Sequence, residues 1–323
     1  MTGRRIEVLH VGSASRDLTP DDPRGWRLGG GVTYAALTTA RLGLRTAAYI
    51  GVDDASAGAH ELALLEDAGV DIMLARLPEA PVFDNQEAPG GRIQVCHAVG
   101  VPLAVPALPS SWATARAWSL VPVAGEVGDA WAAEIPDGAI VAVGWQGFLR
   151  DLAAGREVGR RPPGPSAVVG RGDLVGVSHH DLDPATPLAS LVTFLRPGAD
   201  LLVTQGSRGG LLVIAGRDGP PETLRYLPTA TDREIDPTGA GDTFLAALLA
   251  STLRPAIVGR TRARRRPDLR FAAAAGSLAV EGPGLAGVPD RAAVLVRRAR
   301  ERVRRAVIPS AASQVGTGGL DFD

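Results

Sequence analysis

Short apolar runs alternate with glycine-terminated helical runs through most of the sequence. That alternation restricts the chain to a parallel sheet with helices on its faces. Ile6 to Val11 reads as a buried strand ending at Gly12-Ser13. Gly29-Gly30-Gly31 interrupts the chain, Val32 to Leu42 reads as a helix stopped at Gly43, and Thr46 to Gly51 as a second strand. A helix over Ala57 to Ala68 follows. Later strands are expected over Ala139 to Val143, Leu174 to Val177, Leu201 to Thr204, Gly210 to Ala215 and Leu224 to Leu227, with a helix over Pro187 to Leu195. Two alanine-rich helices, Thr243 to Leu253 and Leu269 to Val280, precede an amphipathic terminal helix over Arg291 to Val307 that offers Val294, Leu295, Val303 and Val307 for packing. Residues 77 to about 110 break the pattern. They are rich in Pro and Gly and read either as a small β flap, with Arg92 to Val99 strand-like, or as a long surface loop.

At 323 residues and 45% hydrophobic, the chain can bury a core for one large α/β domain. Its net charge of −1 provides no global field for nucleic acid or an anionic membrane, so neither is expected as a partner. Cys96 is the one cysteine, which rules out an internal disulfide or a multi-cysteine zinc site and fits a cytoplasmic location. The first residues do not read as a signal peptide, and no run approaches the ~20 apolar residues of a membrane span. All 34 Lys+Arg residues are arginine. A Walker A loop, a protein-kinase strand lysine and a pyridoxal Schiff base are thereby excluded.

Thr238 to Leu253 carries the chemistry. Gly239 and Gly241 flank Ala240 directly before a long helix. Glycines let backbone N–H groups turn toward a ligand, and the helix N-terminus adds partial positive charge. The result is an anion site. Asp242 lies in the same turn. A carboxylate beside an anion hole suits removal of a proton from a hydroxyl that attacks a phosphate.

Asp236-Pro237-Thr238-Gly239-Ala240-Gly241-Asp242-Thr243-Phe244 resembles the C-terminal motif of the ribokinase (PfkB-type) carbohydrate kinase family, with some inositol-kinase-like character elsewhere. Pro237 stands where the family usually has threonine. Gly29-Gly30-Gly31-Val32-Thr33-Tyr34-Ala35-Ala36, running to Arg41-Leu42-Gly43, resembles the N-terminal motif, with Tyr34 in place of a frequent asparagine. The resemblance implies Asp242 as base and Gly239, Ala240 and Gly241 as anion hole. It implies Asp17, Gly29, Gly30 and Tyr34 at the acceptor, with Arg92 and Gln94 alternating on one strand face nearby. Gln146 and Arg150 follow the Ala139 to Val143 strand, where parallel sheets place ligands.

The same resemblance puts Thr204, Gly206 and Gly209 of Leu201 to Gly210 at the ATP site, with Thr238, Ala275 and Gly284. Ser178-His179-His180-Asp181 replaces the family's Asn-x-x-Glu, which leaves Asp181 to serve Mg²⁺ through water; Asp236 falls where some relatives hold K⁺. Adjacent histidines do not by themselves make a chelating face.

The implied fold is a three-layer α/β/α sandwich with a mainly parallel central sheet and a small β lid. It forms a single domain over 1–310, with lid segments at about 17–28 and 77–110 and a disordered tail at 311–323. In the family that lid closes over substrate and often mediates homodimers. The expected activity is ATP-dependent phosphorylation of a hydroxyl on a sugar, cyclitol or nucleoside. The alternative is a non-catalytic nucleotide- or sugar-binding protein of the same fold. A nicotinamide-dependent dehydrogenase ranks far below, because no Gly-x-Gly-x-x-Gly follows the first strand.

Overall fold

The structure is a computed structural model that describes residues 5–88, 91–216, 220–259, 267–300 and 305–308. Ten strands form the central sheet. From one edge they run Arg305–Ile308, Glu222–Tyr226, Gly210–Ile214, Asp200–Thr204, Leu174–Ser178, Ile140–Gly144, Ala117–Leu120, Val8–Ser13, Thr46–Val52 and Asp71–Arg76. The seven strands from Asp200–Thr204 onward pair in parallel, and the other three are antiparallel.

Side chains alternate along each strand, so one strand feeds two cores. Val8, Ala48 and Ile50 face the helices Gly31–Arg41, Ala240–Leu253 and Leu269–Ala279. Leu9, Val11, Ala47 and Tyr49 face the opposite layer, where Trp112, Trp118, Trp131 and Trp145 are buried. The helix Ala240–Leu253 is apolar almost all round, as a helix enclosed on every side must be.

A second, five-stranded sheet stands over one end of the first. Its order is Arg156–Glu157, Gly91–Ala98, Val82–Ala88, Ser15–Leu18 and Trp26–Gly29. Residues 77 to 110 thus contain an antiparallel hairpin rather than an unstructured loop. The strands Ser15–Leu18, Trp26–Gly29, Ala117–Leu120 and Arg156–Glu157 were not evident from periodicity, since pieces of two to four residues hold too few alternations to show one.

Three expected helices differ, and of Pro187 to Leu195 only Leu188–Val192 is helical. Ala57 to Ala68 divides into a 3₁₀ turn, Ser56–Gly58, and a helix, Glu61–Asp67. Asp53 Oδ1 accepts from the Ser56 amide and hydroxyl and pins the turn. Glu61 faces inward to accept from the Leu28 amide and to pair with Arg24. The terminal helix is described over Arg291–Arg300, and Arg305–Ile308 pairs with Glu222–Tyr226 at the sheet edge. β-Branched Val307 and Ile308 suit that edge better than a helix. Val303, the triplet Arg264-Arg265-Arg266 and the 311–323 tail lie outside the described residues.

Candidate active site

The carboxyl ends of the central strands meet the second sheet, and the sequence motifs converge there. Gly239 caps the Ala240–Leu253 helix with φ of 76°, a left-handed conformation that favours glycine. A Cβ on Gly239 would overlap the ring of Tyr34, which is 2% exposed beneath the turn. The Ala240 amide donates to the Pro237 carbonyl at 3.3 Å, whereas the Gly241 amide makes no hydrogen bond among the described residues. First-turn amides of a helix lack internal acceptors, so the Gly241 N–H is available to an anion.

Asp242 occupies the first turn of that helix. Gly31 lies against it, since a Cβ there would sit 2.8 Å from Asp242 Oδ1. Burial pushes the Asp242 carboxyl up to about 6; Arg150 opposes this, and Asp181 and Asp17 reinforce it. An aspartate so placed is partly protonated near neutrality and ready to exchange a proton.

Asp17 lies on the Ser15–Leu18 strand and accepts from Ser15 Oγ at 2.8 Å. Gly29 packs directly against its carboxylate, and Gly30 caps the Gly31–Arg41 helix. Phe83 is the register partner of Asp17 in the second sheet, and Asn85 pairs with Gln94 two positions further along. Gln94 donates to Asn85 Oδ1 at 2.8 Å. By the strand period, Asp17, Phe83, Asn85 and Gln94 share one face. Arg92 is the register partner of Glu87 on that hairpin, but its side chain lies outside the described residues.

Arg150 sits between the two sheets. Its Nη1 donates to the Val123 carbonyl at 2.9 Å, and its guanidinium lies 5.2 Å from the centre of the Phe83 ring. Burial lowers its pKa, while Asp181, Asp17, Asp242 and Glu126 raise it. Glu126 is 3% exposed and accepts from the amides of Ser13 (2.8 Å), Val123 (3.1 Å) and Ala124 (2.8 Å). It ties the end of the first strand to the loop that holds Arg150. Glu126→Ala would orphan these amides, each worth about 1–3 kcal/mol when buried. Urea denaturation of that variant should show a loss of about 3 kcal/mol or more; an unchanged midpoint would mean that water replaces the carboxylate.

Thr204 ends its strand, and Gly206 and Gly209 bracket the following turn, each with positive φ. The Thr204 carbonyl is 3.1 Å from His179 Nδ1, whose Nε2 lies 3.3 Å from Arg208. Asp181 Oδ2 accepts from the Ser178 amide, and Oδ1 is 3.4 Å from Gln146 Nε2. Among the described residues no group of three His, Cys, Asp or Glu could hold a metal ion. Asp236 accepts from the Thr238 amide through Oδ1 and from the Gly284 amide through Oδ2. The carboxylate that the resemblance assigns to K⁺ is therefore engaged as a latch between the Gly239 turn and the Gly284 loop.

Asp17, Gly29, Gly30, Asp181, Gly239 and Asp242 thus come together. Two of the expected residues are buried. Ala275 is fully buried among the helices, so its methyl offers no surface to a nucleotide; Ser277 and Leu278 are the partly exposed residues of that turn. Tyr34 supports the anion turn from below and is closed off from an open pocket. Glu126 and Asn85 carried no sequence signal: a lone Glu in a Val-Ala-Gly loop and an Asn on an edge hairpin are read as solvated.

Residues 173–291 match the family profile described as pfkB family carbohydrate kinase. No curated protein sequence matches the chain. A pyrophosphate-dependent kinase in the ribokinase family, complexed with a pyrophosphate analog and myo-inositol, superposes with a TM-score of 0.66 at 18% identity, covering 90% of this chain and 99% of that one. The nucleoside kinase of Methanocaldococcus jannaschii gives 0.66 at 16% identity, covering 93% and 100%. Arabidopsis thaliana ribokinase, complexed with ribose and ATP, gives 0.61 at 20% identity, covering 91% and 99%. Likeness at these identities establishes the fold.

Proposed function

This chain carries a pfkB-type carbohydrate-kinase segment on a ribokinase fold, and we propose that it transfers the terminal phosphoryl group of ATP to a hydroxyl of a sugar, cyclitol or nucleoside. One observation supports this most directly. Asp242, raised toward neutrality, stands one residue from an amide that has no acceptor.

In the proposed reaction the acceptor hydroxyl lies against Asp242 Oδ, which takes its proton as the oxygen attacks the phosphorus. The leaving oxygen departs with ADP. The Gly241 amide and the helix N-terminus stabilise charge on the transferred group. Thr204, Gly206 and Gly209 line the ATP site, and the Asp236 latch fixes the Gly284 loop beside it. Asp181 would hold Mg²⁺ through water beside the donor phosphates. When bound, it would neutralise charge on those phosphates. The second sheet acts as a lid that excludes water.

The protonation state of Asp242 sets a pH dependence. The base works ionised, so kcat/KM should fall as pH drops through about 6, approaching tenfold per pH unit below that value. Coupled ADP release over pH 4.5–8.5 checks this. A profile flat down to pH 5 contradicts Asp242 as base.

A further inference from the structure

Residues 230–235 lead from the Glu222–Tyr226 strand toward the Gly239 turn as an exposed strap outside any helix or strand. Such a segment drifts unless side chains tether it. The tether comes from the terminal helix Arg291–Arg300. Arg297 on that helix is 8% exposed, a burial that arginine reaches when it is paired. Its Nη1 donates to the Ala230 carbonyl (2.8 Å), Ser277 Oγ (3.0 Å) and Glu281 Oε1 (2.9 Å), and its Nη2 donates to both Glu281 oxygens at 2.9 Å. Glu281 in turn accepts from Thr231 Oγ1 at 3.0 Å and from the Asp232 amide at 2.7 Å. Burial raises the Glu281 carboxyl, but these bonds outweigh it and hold the group below its ordinary value. Glu281 also leads into the Gly284 loop, and the Val280 carbonyl before it accepts from the amides of Ile235 (2.7 Å) and Asp236 (3.1 Å). One ion pair thus secures both segments that the Asp236 carboxylate latches together.

We propose that Arg297 is a positioning residue for phosphoryl transfer: through Glu281 and the Ala230 carbonyl it fixes the strap and the Gly284 loop, and so sets where the Gly241 amide meets the transferred group. A planar guanidinium held to both oxygens of a carboxylate fixes direction as well as distance, which the point charge of a lysine does not. A small displacement of a donor aimed at the reacting centre is enough to slow the reaction. The effect on rate rests on the kinase reading, whereas the tether itself does not.

Hydrogen exchange on the full chain, read by mass spectrometry, reports the tether. Coupled ADP release with ATP and myo-inositol, D-ribose, D-fructose or adenosine reports the rate. Arg297→Gln should speed exchange over residues 230–241 by about tenfold or more and leave the central strands unchanged. Its kcat should fall by about tenfold or more, with the KM of the acceptor within a factor of two of the parent. Arg297→Lys should recover part of both losses. Glu281→Gln should reproduce them, and the double variant should be no worse than either single one, because each breaks the same pair. Arg298→Gln is the control. Arg298 ties the same helix to the Val258 carbonyl at 3.0 Å and to Asp268 at 2.9 Å, away from the strap. Its loss should lower the melting temperature without changing kcat or exchange over 230–241.

Should Arg297→Gln fail to fold, Thr231→Ala cuts the tether at an exposed position, and exchange over 230–241 should rise by about threefold or more. A parent that phosphorylates none of the probes would sink the kinase reading, and exchange alone would then decide the tether. Exchange unchanged in Arg297→Gln, or in Thr231→Ala where that variant stands in, overturns the inference. So does faster exchange with parental kcat, or the same losses in Arg298→Gln.

Discussion

Asp242→Asn should abolish phosphoryl transfer, lowering kcat about 10³-fold while leaving ATP affinity within a factor of two. Positioned acid–base groups contribute 10²–10⁴-fold, and the amide keeps the shape of the carboxylate without its basicity. Stability should move the other way. The folded-state pKa of Asp242 lies above its ordinary value of 3.8, at about 6. The folded protein therefore favours the proton, and stability is lost as pH rises through about 6. Asparagine removes the buried charge, so at pH 7.5 the variant should melt no lower than the parent. Coupled ADP release, nucleotide titration and a thermal scan measure the three quantities. Retention of a tenth or more of parental turnover would remove Asp242 from the mechanism.

The Gly239→Ala variant should lose both stability and turnover. An alanine at a φ of 76° costs about 1–2 kcal/mol, because Cβ crowds the following carbonyl. The new methyl would also overlap the Tyr34 ring, and overpacking in a closed site costs about 1–3 kcal/mol more. The turn must then shift, and with it the Gly241 amide. Loss of one such donor costs about 10²–10³-fold in rate. Adding Tyr34→Ala opens the space beneath the turn but does not relieve the backbone. The double variant should recover the packing part of the loss and not the rest. Urea titrations of the four proteins in that cycle resolve the two contributions. Stability and turnover equal to the parent in Gly239→Ala would show that the turn needs no glycine.

The parallel sheet was readable in the sequence because apolar strands of five or six residues alternate with glycine-stopped helices. The Thr238 to Leu253 turn and helix, and the Gly29-Gly30 break, were readable for a related reason: glycines at a helix start are local signals. Asp242 lies in that turn, whereas Asp17 is assigned only by the family resemblance. The second sheet was only half visible. Two-residue strands such as Arg156–Glu157 exist because a neighbour pairs with them, and nothing within them encodes the pairing.

What the sequence determined by itself was the layered architecture, the absence of lysine chemistry and the glycine turn that ends on Asp242. Backbone conformation and short-range hydrogen bonding decide these within a few residues of chain. What only the tertiary structure decided was the company that Asp242 keeps. Arg150 reaches the site from 92 positions earlier in the chain, held by Val123 and Phe83. Glu126 ties the end of the first strand to that loop, and Tyr34 fills the space beneath Gly239. Charge and burial act through space, so these placements follow from the way the two sheets pack and cannot be read along the chain.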